Sequence, residues 1–180
     1  TLAENAGASA LGTVSASDVD TADTLTYSIT AGNDSSLFAI DASTGALTTT
    51  GDLDFETDVQ HVLTVQVSDS TLTDTATVTV DVTDVNEVPV AVDNSFTLAE
   101  NAGASALGTV SASDVDTADT LTYSITAGND SSLFAIDAST GALTTTADLD
   151  FETTAQHVLT VQISDDSALT DSATVTVDVT

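Results

Sequence analysis

The acidic side chains of this sequence come in pairs and short runs. Asp18 and Asp20 stand two residues apart, as do Asp54 and Glu56; Asp84 is followed by Asn86 and Glu87; Glu4 and Asp69 stand singly. The pattern returns as Glu100, Asp114 with Asp116, Asp150 with Glu152, and Asp165. In an extended loop, two carboxylates at this spacing can point into one small volume. Such a pair ~4 Å apart repels by roughly 4 kcal/mol at an effective dielectric of ~20. The chain has no Lys, no Arg, 29 acidic residues and a formal net charge of −29. Beyond its two histidines, no side-chain cation offsets that repulsion, which leaves spacing, salt or bound metal ions. A hard cation suits the donors: Ca2+ takes 6–8 oxygen ligands from carboxylates, amides and carbonyls. Magnesium demands stricter octahedral geometry, and zinc or copper would want His or Cys. The alternative is a solvated acidic surface with no ion at all.

The same composition argues against other chemistry. Nothing neutralises phosphates, so nucleic acid is not a partner, and an anionic membrane would repel the chain. Asp54 and Glu56 could suggest a glycosidase, but that reaction needs two acids across a substrate cleft. Here the acids are adjacent and recur in each half, as metal ligands would, and no Ser–His pair can be argued from spacing. The expectation is a non-enzyme. His61 and His157 hold one position in the two halves and read as structural. No cysteine is present, and no apolar run approaches the ~20 residues of a membrane span. The 41% hydrophobic content is enough for a core.

Two near-identical copies position these acids. Thr1-Leu2-Ala3-Glu4-Asn5-Ala6-Gly7 returns from Thr97, an offset of 97 − 1 = 96. The match runs to Thr83 and Thr180, with about seven substitutions and one inserted residue near Ala168. Such a period fits a whole small domain, and the chain, opening mid-repeat, reads as a piece of something longer. Within a copy the apolar pattern has period two. Leu63, Val65 and Val67 share one face and Val62 the other; Ala76, Val78, Val80 and Val82 alternate with Thr and Asp. Further strands are predicted at Leu11–Ala16, Leu25–Ile29, Leu37–Ile40 and Ala46–Thr49, and an opening strand at Asn94–Leu98. Asp41-Ala42-Ser43-Thr44-Gly45 is predicted to turn, with Gly45 at positive φ. About seven short strands in about 96 residues predict an all-β chain of two tandem immunoglobulin-like Greek-key β-sandwiches. The expected domains are repeat 1 at 1–83, a linker at 84–93 and repeat 2 at 94–180.

Six elements in fixed order resemble those of cadherin repeats. They are Ala3-Glu4-Asn5, Asp18-Val19-Asp20, Phe38-Ala39-Ile40-Asp41-Ala42-Ser43-Thr44-Gly45, Leu53-Asp54-Phe55-Glu56, Val65-Gln66-Val67-Ser68-Asp69 and Asp84-Val85-Asn86-Glu87. The first five recur in the second copy. The resemblance implies Ca2+ held where successive repeats join. By position, the first repeat would give Glu4, Asp54 and Glu56, the linker Asp84, Asn86 and Glu87, and the second repeat Asp114, Asp116 and Asp165. It further implies two half-sites, Asp18, Asp20 and Asp69 at one end, and Glu100, Asp150 and Glu152 at the other. Glu87 departs from the family's Asp, Val88-Pro89 follows one residue early, and Phe55 stands where Arg is common.

The function implied is a calcium-rigidified extracellular module of a large cell-surface adhesin, with neighbouring repeats as its partners. The near-identical copies, the Thr/Asp/Ala-rich composition and the lack of basic residues favour a bacterial parent. The alternatives are a module binding glycan or cell-surface protein, and a passive stalk projecting a distal binding domain.

Overall fold

A computed structural model describes residues 1–20 and 22–180. The chain divides into two compact units, Thr1–Val85 and Asn86–Thr180. Among the described residues there is no helix, and none long and apolar enough to cross a membrane.

Unit 1 is built from β1 (Leu2–Ala3), β2 (Ala10–Thr13), β3 (Thr26–Ala31), β4 (Phe38–Ile40), β5 (Ala46–Thr49), β6 (Gln60–Ser68) and β7 (Thr73–Thr83). A four-stranded sheet in the order β1-β7-β6-β3 faces a three-stranded sheet in the order β2-β5-β4. Strand alternation decides the core. Leu63 and Val65 of β6 are buried while Val62 is 51% exposed. Val80 and Val82 of β7 meet Phe38 of β4 and Leu47 of β5 across the sandwich, with Leu53 closing one end. This is the expected immunoglobulin-like Greek-key sandwich.

Unit 2 repeats it with β9 (Asn94–Leu98), β10 (Ala106–Thr109), β12 (Thr122–Ala127), β13 (Phe134–Ile136), β14 (Ala142–Thr145), β15 (Gln156–Ser164) and β16 (Thr170–Val179). It adds a ribbon of β8 (Val90–Ala91) against β11 (Ala112–Ser113). Its core is more complete: Val110, Leu143, Leu159, Val161, Ile163, Val175 and Val177 have no exposed surface. The opening strand β9 runs parallel to β16, from Asn94 beside Val175 to Leu98 beside Val179. Pro89 of the linker is buried as well.

The Asp41–Gly45 turn forms as expected. Asp41 Oδ1 accepts from Ser43 Oγ at 2.7 Å, Thr44 N at 2.8 Å, Thr44 Oγ1 at 2.9 Å and Ser43 N at 3.0 Å. Gly45 has φ +70°, where a Cβ would meet the Val14 carbonyl. The Ser43 hydroxyl foremost, then the Thr44 N–H, lowers the Asp41 carboxyl to about 2; Ser139 and Thr140 do the same for Asp137.

Candidate metal centre

The acids of unit 1 gather where three connections meet. Asn5 takes a left-handed conformation, φ +54°, and its N–H donates to the Leu53 carbonyl at 3.2 Å. The N–H of Glu4 donates to the Thr83 carbonyl at the end of β7, 3.1 Å. Glu4 is thereby turned inward and is buried at 3% exposure. Its Oε2 accepts the Phe55 N–H at 2.9 Å and its Oε1 the Val85 N–H at 2.8 Å. One carboxylate oxygen each of Glu4, Glu56 and Asp84 lies within 4.8 Å of the others. Asp54 is turned to a local task. It receives the Thr57 N–H at 2.9 Å and the Thr57 hydroxyl at 2.8 Å, capping its own turn.

In unit 2, Asp116 and Asp165 are buried. Asp165 Oδ2 accepts from Asn86 Nδ2 at 2.7 Å and its Oδ1 from the Leu169 N–H at 2.8 Å. Asp116 Oδ2 accepts the Glu87 N–H at 2.9 Å, and Asp114 Oδ1 the Asp116 N–H at 3.1 Å. These N–H groups pin the linker residues Asn86 and Glu87 to this end of the unit. Carboxylate oxygens of Asp114, Asp119 and Asp165 lie within 4.8 Å of one another. Asp119 was not anticipated, although its spacing, Asp-X-Asp-X-X-Asp from Asp114, carries the signal. The N–H of Asp119 donates to the Asp116 carbonyl at 3.0 Å, and that turn brings its side chain back to the pair. Burial first, then the charges of Asp166, Asp116, Asp114 and Asp165, raise its carboxyl above the ordinary value.

The donor chemistry fits a hard divalent cation. Every donor is oxygen, and Asp114 Oδ2 and Asp119 Oδ2 are enclosed without a hydrogen-bond partner. Unpartnered buried acceptors are costly, and one shared cation would serve both.

The outer sets differ. Glu100, Asp150 and Glu152 also place oxygens within 4.8 Å of one another. Asp150 is held below the ordinary carboxylate range, mainly by the Thr153 hydroxyl and then its N–H. Among the described residues, Asp18, Asp20 and Asp69 do not close into such a group. Asp18 Oδ1 accepts the Asp20 N–H. Asp69 accepts the N–H groups of Leu72 and Thr71 at 2.6 and 2.7 Å, and these lower its carboxyl. Ala16–Ser17, unlike its counterpart β11, is not in a strand, so the loop bearing Asp18 and Asp20 lacks that anchor. His61 and His157 pack edge-on against Phe38 and Phe134, centroids 5.1 and 5.2 Å apart.

Known proteins resemble this chain in sequence and fold. The model of the cadherin domain matches residues 1–83 and 94–180. Human protocadherin Fat 1 is 37% identical over 173 residues, covering 90% of this chain and 4% of that protein. Mouse cadherin EGF LAG seven-pass G-type receptor 2 is 37% identical over 159 residues, 85% of this chain and 5% of that protein. The chain therefore spans only a small fraction of these relatives. Among solved structures, human protocadherin-24 EC1-2 has a TM-score of 0.71 at 25% identity, covering 92% of this chain and 86% of that one. Mouse cadherin-23 EC22-24 has a TM-score of 0.74 at 24% identity, covering 100% and 61%. With the family's domain matched twice along the sequence, the chain belongs to the cadherin family.

Proposed function

We propose that this chain is a calcium-binding spacer and adhesion module, stiffened by Ca2+, from the extracellular part of a large cell-surface protein. The observation that carries the reading is the set of oxygen donors on either side of one short linker. Glu4, Glu56 and Asp84 gather on one side; Asp114, Asp119 and Asp165 gather on the other, with Asn86 hydrogen-bonded to Asp165 and Glu87 to the neighbouring Asp116. Asp84 and Asn86 are two residues apart, and a chain rises at most ~3.6 Å per residue. That bound on the Asp84–Asn86 span is compatible with ions shared between the two sets. Asp54, as the family resemblance implies, joins them once its Thr57 contacts are exchanged for the ion.

Without calcium, like charges repel across the linker. With calcium, residues of both repeats and the linker bind the same ions, and bending would break ligand bonds. Calcium also stabilises by mass action, since the unfolded chain has no assembled site. Extracellular modules of this kind bind at ~10⁻⁴–10⁻³ M. Adhesion and projection are properties of the whole parent, to which this segment contributes length and stiffness; its immediate partners are the neighbouring repeats. Membership of a family of adhesion domains also argues against catalysis. The proposal extends to a bacterial parent, from composition; a coding sequence interrupted by introns would overturn that part.

The test is calorimetric titration of the metal-free chain with Ca2+ and, separately, with Mg2+. Saturable calcium binding that Asp84→Ala and Asp116→Ala each weaken supports the reading. Equal, weak uptake of both ions by parent and variants would sink it.

A further inference from the structure

One imidazole closes the same rim of the core in each unit. The period of two along a strand puts His61 on the face of Leu63 and Val65, and His157 on that of Leu159 and Val161. Their cross-strand partners, Val80 and Val177, are buried. Both imidazoles are half-buried. Each stands edge-on to a buried phenyl ring of the facing sheet, Phe38 at 66° and Phe134 at 67°. Those phenyl rings have little freedom to yield. Asn33 Nδ2 donates to the Phe38 carbonyl at 2.7 Å, and Asn33 Oδ1 accepts the Phe38 N–H at 3.0 Å. Asn129 clamps Phe134 in the same way. His61 Nε2 is enclosed without a hydrogen-bond partner.

A neutral imidazole tolerates such a seat better than an imidazolium, which adds a charge and has two N–H donors to satisfy. The surrounding elements offer that charge little. β4, β5, β13 and β14 carry no titratable side chain. Asp81 of β7 and Asp178 of β16 lie one step along, where alternation turns them to the outer face, hydrogen-bonded to Gln60 and Gln156. Tyr27 and Asp74 are level with Val67, well down the strand from His61; Tyr123 and Asp171 are level with Ile163, as far from His157. The loops entering β4 and β13 bring Asp34 and Asp130, both exposed. The nearest acid in the connection before β6 is Asp58, also exposed, where unit 2 has Thr154. Attraction of a cation to a phenyl face acts in favour of the charged ring. Burial acts against it, and holds the His157 imidazole below its ordinary value.

We propose that His157, with His61 as its counterpart, is an acid-sensitive seal: the neutral ring closes the rim of the core, and protonation drives it off the phenyl ring and loosens that repeat. The device lies within a repeat and needs no calcium. The unfolded chain takes the proton more readily than the fold does. The stability contributed is therefore full above 6.5 and is lost as pH falls through the lower folded value.

The test follows both imidazoles of the full chain by NMR, in EDTA, from about pH 8 to about pH 5, with His61→Gln and His157→Gln to assign them. The expected His157 midpoint lies below 6.5. The melting temperature of the metal-free parent, read by scanning calorimetry, should fall over the same range, and the double His→Gln variant should lose most of that fall. Carboxylates of ordinary value stay ionised throughout, and Asp119 is common to both chains. A His157 midpoint at or above 6.5, the result if attraction to the phenyl ring prevails, overturns the proposal. So does a melting temperature that falls equally in the double variant, or that does not fall in the parent. Should the variant fail to fold, the parent's midpoint and melting curve decide.

Discussion

At Asp119, burial and neighbouring aspartates hold the proton more tightly than water does. The sign follows from that direction. A carboxyl raised in the fold contributes stability below its unfolded value of 3.8, and loses it as pH rises through the raised folded value. At neutral pH without calcium, its charge is a burden that a cation would remove. Asp119→Asn should therefore leave the calcium-free melting temperature unchanged or raised, yet weaken calcium binding on the order of tenfold. A matched loss in both conditions, measured by scanning calorimetry, would mean that Asp119 only supports the loop. Asp41 has the opposite sign. Its carboxyl is lowered to about 2, so its contribution is present above 3.8 and is lost as pH falls through about 2. In a carboxyl 13C titration, Ser43→Ala should move the Asp41 midpoint up toward 3.8; an unmoved midpoint would contradict the hydroxyl's role. The paired acids were legible in the sequence because spacing alone marks them. Asp119 was overlooked although its spacing from Asp114 carries a signal; the turn closed on the Asp116 carbonyl brings it beside Asp114. Asp54 and Asp150 are capped alike by the Thr three residues on, yet Asp150 still lies in an acidic group with Glu100 and Glu152, so the Asp-X-X-Thr contact alone does not decide whether the carboxylate joins a site.

The strands were the most legible elements. Alternation over β6 put Leu63 and Val65 on one face and Val62 on the other, because a pleated strand has period two, and the structure buries the first face. Leu63→Ala should cost about 2–5 kcal/mol, against about 0.5 kcal/mol or less for Val62→Ala, in urea unfolding followed on unit 1. Comparable losses would mean that the register is wrong. The pattern on β7 is only half realised: Val80 and Val82 are buried but Ala76 is exposed. Its counterpart Ala173 is 1% exposed because the segment ending in Phe96 covers it. Periodicity gives the face but not whether another segment lies on it. It was equally silent on the parallel pairing of β9 with β16, and on the β8–β11 ribbon, whose two-residue strands are too short for any period.

Over the whole molecule, the dominant fact is a net charge of −29 with no Lys or Arg. Net charge of this size acts against the compact state, and salt screens it within about 10 Å at 0.1 M. Raising NaCl from ~0.01 to ~0.15 M should thus raise the calcium-free melting temperature; a flat response would show that the carboxylates are already spaced far enough apart. The two-domain division and the family were legible because the repeat is nearly exact and its motifs keep their order. The coupling of the repeats by an ion, which the motifs imply through the family resemblance, is the proposal at the centre of the account. The most direct measurement is a Ca2+ titration of the parent, Asp84→Ala and Asp116→Ala, following the melting temperature and the maximum dimension by small-angle scattering. The account predicts that both rise together in the parent at ~10⁻⁴–10⁻³ M Ca2+ and that each variant loses most of the gain. If neither quantity rises, or if the variants follow the parent, calcium does not stiffen this chain.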